Sequence, residues 1–259
     1  DILLAQGRFQ EALIAAAADD GLATSKRLAV MASAQIALGQ QDDAGRSLEE
    51  ALALEPGSRD LRLLQARWHW AGGRPTEARA VIDELLARDS ADAEAWLYRG
   101  RFALGAGDAT GAREAFAEAR KTADARLGLP DQVAVLVAAV ETDLMLGDAA
   151  SAAQSLRVLE ARSPNTFVTR FLKGRVAFAQ RDFRNAASEL QRALTQQPGY
   201  GPARVLLAAA LIEQGSGELA ESELNRLIAE QPGNTEARKL LGEIYQRLGI
   251  PTVATVRWT

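Results

Sequence analysis

The chain has 259 residues and a formal net charge of −4, a balance without the basic stripe that a nucleic-acid or anionic-membrane surface requires. It contains no cysteine, which removes disulfides and thiolate chemistry, and no stretch approaches the roughly 18 uninterrupted apolar residues of a membrane-spanning helix. Alanine, leucine, arginine, glutamate and glutamine dominate, aromatics make up 5%, and the eight prolines sit at few places, so an all-α chain is expected.

Taken in order, Gly7 and Ala12 in Gly-Arg-Phe-Gln-Glu-Ala read as a turn followed by a second helix, with most of the first helix missing. The same turn returns at Gly39 with Ala44, Leu48, Ala51 and Pro56, at Gly73 with Ala78 and Ile82, and at Gly107 with Ala112, Phe116 and Ala119. These glycines are 34 residues apart. Gly147 follows only after 40 residues, with Ala152, Leu156 and Pro164, so an insertion is expected within 122–131, where Gly128 and Pro130 stand. The 34-residue phase then resumes: Arg181 occupies the place of a turn glycine, and Gly215 and Gly249 come next. Between Phe167 and Pro232 the pattern is written twice, Gly174 answering to Ala208, Ala186 to Ala220, Leu190 to Leu224, Ala193 to Leu227 and Pro198 to Pro232.

A period of this length, with small residues and turn residues at fixed phases, marks a helix-turn-helix unit that buries its apolar face only by stacking on its neighbours. Alanine five places after each turn residue lets the two helices of a hairpin approach; a larger side chain there would overpack by about 1–3 kcal/mol. Glycine at the turn takes the left-handed conformation that ends a helix, and Pro56, Pro164, Pro198 and Pro232 stop the second helices. The unit resembles the tetratricopeptide repeat. The resemblance implies a right-handed superhelical solenoid, one array over residues 1–259 with about seven to eight repeats, that binds proteins or peptides and is not an enzyme. The array is expected to be cut at both ends, since it opens inside a repeat and only ten residues follow Gly249. The uncovered apolar face carrying Val253, Val256 and Trp258 is then expected to drive self-association.

Catalytic and metal chemistry find little support. His69 is the only histidine, so a multi-histidine metal site is impossible, and its neighbours Trp68 and Trp70 suit a packed helix. The run from Gly105 to Gly111 lacks the lysine and glycine spacing of a phosphate loop and reads as a repeat turn. Acidic pairs such as Asp42-Asp43 and Glu49-Glu50 fall on turns or solvated helix faces. No cofactor and no metal is expected.

In tetratricopeptide families the second, fifth, ninth and twelfth places of the first helix face an inner groove. Carried over by phase, the resemblance assigns the fifth place to Leu63, Leu97, Val137, Phe171 and Val205, the ninth to Arg67, Arg101, Glu141, Arg175 and Ala209, and the twelfth to Trp70, Leu104, Leu144, Phe178 and Ile212. The expected partner-binding groove is thus apolar, with Leu63, Trp70, Leu97, Val137, Phe171, Phe178 and Ile212 along it and Arg67, Arg101 and Arg175 interspersed. The same large groups could instead support neighbouring helices. Ala29 and Ser33 stand where the clamp that holds chaperone tails has lysine and asparagine, which disfavours that function.

Three stretches narrow the family further: Ser163–Phe183 (Ser-Pro-Asn-Thr-Phe-Val-Thr-Arg-Phe-Leu-Lys-Gly-Arg-Val-Ala-Phe-Ala-Gln-Arg-Asp-Phe), Tyr200–Leu207 (Tyr-Gly-Pro-Ala-Arg-Val-Leu-Leu) and Gln231–Gly249. They resemble the tetratricopeptide lipoproteins associated with PEP-CTERM/exosortase systems (PrsT-like). That resemblance implies a protein-protein interaction scaffold in a bacterial exopolysaccharide and protein-sorting system, periplasmic or anchored to the membrane by a lipid outside this sequence. The other reading is an accessory or regulatory domain of a larger enzyme.

Overall fold

The structure is a computed structural model and describes residues 2–18 and 21–247. Among the described residues there are fifteen helices in tandem and no strand. The chain divides into two compact units, Asp1–Gln132 and Val133–Thr259. The first holds α1 (Ile2–Ala5), α2 (Phe9–Ala18), α3 (Thr24–Ala37), α4 (Gln41–Leu54), α5 (Arg59–Ala71), α6 (Pro75–Arg88), α7 (Ala93–Gly105) and α8 (Ala109–Arg126). The second holds most of α9 (Leu129–Met145), whose first turn lies in the first unit, then α10 (Ala149–Arg162), α11 (Phe167–Ala179), α12 (Phe183–Gln196), α13 (Gly201–Glu213), α14 (Gly217–Glu230) and α15 (Thr235–Arg247).

The turns fall at the residues the repeat pattern marks. Gly7, Gly39, Gly73, Gly107, Gly147 and Gly215 have φ between 70° and 80°, and Arg181 adopts φ 62° in the same role. The reason is one hydrogen-bond pattern repeated at each hairpin. Gln40 N donates to Gln35 O at 2.8 Å and Asp182 N to Ala177 O at 2.9 Å, closing the helix end with a left-handed residue between. Where the next residue is aspartate it also caps the second helix: Asp108, Asp148 and Asp182 accept from the backbone N–H of Gly111, Ser151 and Asn185 at 2.8, 3.0 and 3.1 Å. The turn expected at Gly249 and the apolar group Val253, Val256 and Trp258 lie outside the described residues.

The wider spacing between Gly107 and Gly147 is carried by helix rather than by a loop. Helix α8 has 18 residues and α9 has 17, against 14 in α6 and 13 in α7, and only Leu127 and Gly128 connect them.

Packing follows the small-residue phase. Ala44, Ala78, Ala112, Ala152, Ala186 and Ala220 are each 0% exposed. Opposite them the first helices are small too: a Cβ on Gly100 would lie 2.4 Å from Phe116 Cε1, and one on Gly174 would lie 2.5 Å from Leu190 Cγ. Phe116, Leu190, Leu224 and Leu227 are fully enclosed. Each unit thus has its own ladder of apolar seams, for example Leu63, Ala66, Ala78, Ile82 and Phe102 in the first and Leu136, Val140, Leu156, Leu172 and Val176 in the second.

The second unit adds a charge ladder at the same period. Arg170 on α11 donates to Glu189 on α12 at 2.8 Å, and 34 residues on Arg204 on α13 reaches Glu223 on α14 at 3.3 Å. Glu189 is 8% and Arg204 2% exposed, so each is held by partners: Arg192 and Lys173 add to Glu189, and Glu230 and the Pro198 carbonyl to Arg204.

Candidate protein-binding surfaces

In the first unit, α3, α5 and α7 line a cavity of about 680 Å³. The three helices supply it from corresponding places: Lys26, Asp60 and Glu94 from the second place, Ala29 and Leu63 from the fifth, and Ser33 and Arg67 from the ninth. This is the arrangement expected of an inner face. The second and ninth places are seven residues apart, so the two rows lie about 10 Å from one another along the helices.

The rows differ in charge. Asp60 and Glu94 are tied to Arg59, whose guanidinium donates to both at 2.9 Å and to Asp92 through Nε at 2.7 Å and Nη2 at 2.5 Å. Asp92 is 6% exposed and caps α7 by accepting from Ala95 N at 3.0 Å. Burial pushes its carboxyl up, but the Arg59 and backbone hydrogen bonds outweigh that and hold it below the usual carboxylate range. Arg59 is raised in turn, chiefly by the hydrogen bond to Asp92. The ninth-place row is different: Arg67 and Arg101 lie on the ring of Tyr98, with their guanidinium carbons 5.9 and 5.5 Å from its centroid. Neither arginine has a carboxylate partner among the described residues.

Three first-unit residues sit differently from the expected groove. Leu97 is 1% exposed, and Leu63, at 4%, only floors the cavity; the fifth place in these repeats points into the seam between helices. Trp70 does not share the Arg67 wall. It stacks on Phe102 at 4.6 Å, with the indole over Gly105, and lines a second cavity of about 710 Å³ with Ile82 and Trp96. Standing in the last turn of α5, it leans onto α7 because Gly105 leaves room for the indole, where a Cβ would lie 2.3 Å from Trp70 Cζ2.

In the second unit Phe171 stacks on Phe167 at 5.9 Å, and both meet Tyr200 edge-on, at 5.2 and 4.9 Å. Arg175 lies over Phe171 at 5.7 Å and pairs with Glu141 at 3.2 Å, so here the ninth-place charge is neutralised inside the protein. Phe178 packs edge-on against Phe183 at 5.4 Å, and with Ile212 it covers the core built by α12 to α15. Val137 covers the neighbouring core. Phe178, Ile212 and Val137 therefore have structural duties as well as partial exposure.

Sequence reasoning missed Tyr98, Phe167 and Tyr200. Tyr98 stands at the sixth place, one beyond the phase assigned to the groove, and Tyr200 precedes α13; a search for aromatics beside the arginines would have found Tyr98. His69 packs at 4.8 Å from Trp68, and its Nδ1 is buried without a partner. Burial, then Arg74, lowers its pKa. Among the described residues no carboxylate or hydroxyl hydrogen-bonds to its Nδ1, although the Glu77 charge opposes the shift, and no cluster of acidic and histidine side chains is placed to hold a metal ion.

Two sequence profiles, each described as tetratricopeptide repeat, match residues 30–91 and 63–126 and residues 177–245, together more than half of the chain. The chain belongs to the tetratricopeptide-repeat family. Solved structures agree in fold. PilF from Pseudomonas aeruginosa superposes with a TM-score of 0.72 at 17% identity over 85% of this chain and 97% of its own. A tetratricopeptide protein from Parabacteroides merdae gives 0.68 at 13% over 88% of each chain, and YrrB, described as having an unusual peptide-binding site, gives 0.61 at 18% over 74% of this chain and 96% of its own. At these identities the likeness is one of fold. A search of curated proteins gives no sequence match.

Proposed function

We propose that this tetratricopeptide chain is a protein-interaction scaffold whose first-helix faces hold peptide segments of partner proteins. The observation that carries the reading is the contrast within each unit. Second helices and seams are closed with alanine and leucine, while the first-helix faces leave aromatic and arginine groups partly exposed around an open cavity in the first unit and around Phe167, Phe171 and Tyr200 in the second. Aromatic groups of this kind supply contact area, and arginines supply direction.

The finer reading places the scaffold in a bacterial exopolysaccharide and PEP-CTERM protein-sorting system, in the periplasm or on a lipid anchor. Its support is the wording of Ser163–Phe183, Tyr200–Leu207 and Gln231–Gly249.

Selection of a random peptide library on the whole chain tests the scaffold reading. Enriched peptides should lose affinity for Phe171→Ala or for the Arg67→Gln, Arg101→Gln double variant, each checked for unchanged helicity. Peptides that bind both variants as tightly as the parent chain would place recognition on the second-helix side and refute it.

A further inference from the structure

Arginines on the first helices of the first unit divide into two kinds. Arg59 is held by three carboxylates, Arg62 donates to Gln65, and Arg99 pairs with Asp83. Arg67 and Arg101 make no ion pair and no hydrogen bond among the described residues, and neither does the Tyr98 hydroxyl they flank. Two cations on one phenol ring, in a chain with 34 acidic residues against 30 basic ones, are a local excess of positive charge that the protein's own acids do not neutralise. Anionic groups brought to the two guanidinium groups neutralise that excess, and each guanidinium can present two parallel N–H groups to a carboxylate. The Tyr98 hydroxyl adds a third donor.

We propose that Arg67, Tyr98 and Arg101 form a carboxylate-binding site on α5 and α7 that takes the aspartate or glutamate side chains of an acidic partner segment. The inference rests on the first-helix face of this unit being a binding surface, and it names the chemistry of what binds there. The neighbouring row decides between anions. Asp60, Glu94 and Asp92 share Arg59, and the cavity's other acid, Glu55, is joined by one further cation, Lys26, so four carboxylates face two cations and that side is net acidic. A dianionic phosphate is repelled there more strongly than a monoanionic carboxylate, and a nucleic-acid backbone more strongly still. Two arginines from successive repeats call for two anionic groups in line, which side chains of one segment provide and a single chain terminus does not. Unit 2 lacks the device, because Glu141 already occupies Arg175.

The test uses the whole chain and a fluorescein-labelled peptide with blocked ends, in which glutamates alternate with glycine and serine, read by anisotropy at low salt. Glutamine, free-C-terminus and phosphoserine versions are the comparison arms. The glutamate peptide should bind at least about tenfold more tightly than the glutamine one, and added salt should weaken it. The double change Arg67→Gln, Arg101→Gln should remove that preference. Tyr98→Phe, which keeps the ring and loses one donor, should weaken binding by about threefold to tenfold. Arg175→Gln should leave it unchanged. Equal binding of the glutamate and glutamine peptides, no binding at millimolar peptide, or a preference that survives the double change overturns the proposal. Binding only by the free-C-terminus peptide, or tighter binding of the phosphoserine peptide, also overturns it, in favour of a terminal carboxylate or a phosphate. Library-selected peptides that need Phe171 but show no acidic bias would leave the scaffold reading standing while this one fails.

Discussion

Replacing Gly100 by alanine should destabilise the chain although it raises intrinsic helix propensity. In an exposed helix interior the exchange stabilises by about 1 kcal/mol. At Gly100, however, the new Cβ would lie 2.4, 2.7 and 2.7 Å from three ring atoms of Phe116, and Phe116 is 0% exposed, so its ring has no free space to swing into. Helix α7 must move away from α8, an overpacking cost of about 1–3 kcal/mol that also loosens the seam beneath Ala112 and Ala119. Set against that gain of about 1 kcal/mol, the net expectation is a loss centred on about 1 kcal/mol, seen in urea as a midpoint lowered by roughly 0.5 M at unchanged slope. Gly217 at the start of α14 is the internal comparison, because among the described residues a Cβ there meets nothing within 4 Å. Gly217→Ala should stabilise by about 0.5 kcal/mol. Phe116→Leu should relieve the Gly100→Ala clash, giving a favourable coupling in a double-mutant cycle. If both alanine variants shift the midpoint the same way, or if Phe116→Leu leaves the Gly100→Ala effect intact, the close approach of α7 and α8 is not what glycine serves.

Three further outcomes follow from the same structure. At the turns, Gly147→Ala should cost about 1 kcal/mol by thermal melt, because alanine is strained at φ 74°, while Arg181→Gly should stabilise by a few tenths of a kcal/mol by removing the same strain at φ 62°. Glu189→Ala should lower stability by about 3 kcal/mol, since it strips the carboxylate from Arg170, Lys173 and Arg192; Glu223→Ala should cost less, because that carboxylate is 31% exposed and Glu230 still faces Arg204. Asp92 has a depressed carboxyl pKa in the folded chain, so its contribution is fully present above the ordinary carboxylate value and is lost as pH falls through the folded value. Stability measured against pH should therefore lose part of its acid-side slope in Arg59→Met; an unchanged slope would show that the Arg59 hydrogen bond does not set the Asp92 proton affinity.

Much of the fold was legible because repeat phase is a one-dimensional signal. Ala44, Ala78, Ala112, Ala152, Ala186 and Ala220 are all enclosed, as their place five residues after the turn required, and even Arg181 takes the left-handed conformation of the glycine it replaces. The groove was less legible. Phase placed Arg67 and Arg101 on the inner face, yet it also put Trp70 beside Arg67, whereas the indole turns onto Phe102 and lines another cavity. A place in a repeat specifies where a Cα stands. It does not specify which neighbour a long side chain leans on, and that depends on the room left by residues such as Gly105.

The sequence by itself determined the helical class, the hairpin unit, the turns and the small residues of the seams, because each follows from local backbone preference and a repeated period. Tertiary structure decided which charges are already answered. Arg59, Arg67 and Arg175 look alike in sequence, but Arg59 meets Asp92 from the next repeat, Arg175 meets Glu141 from the preceding one, and Arg67 meets only the ring of Tyr98. Those partners lie about one repeat away along the chain, so only the stacking of hairpins brings them within hydrogen-bond reach and leaves one pair of arginines open to a partner.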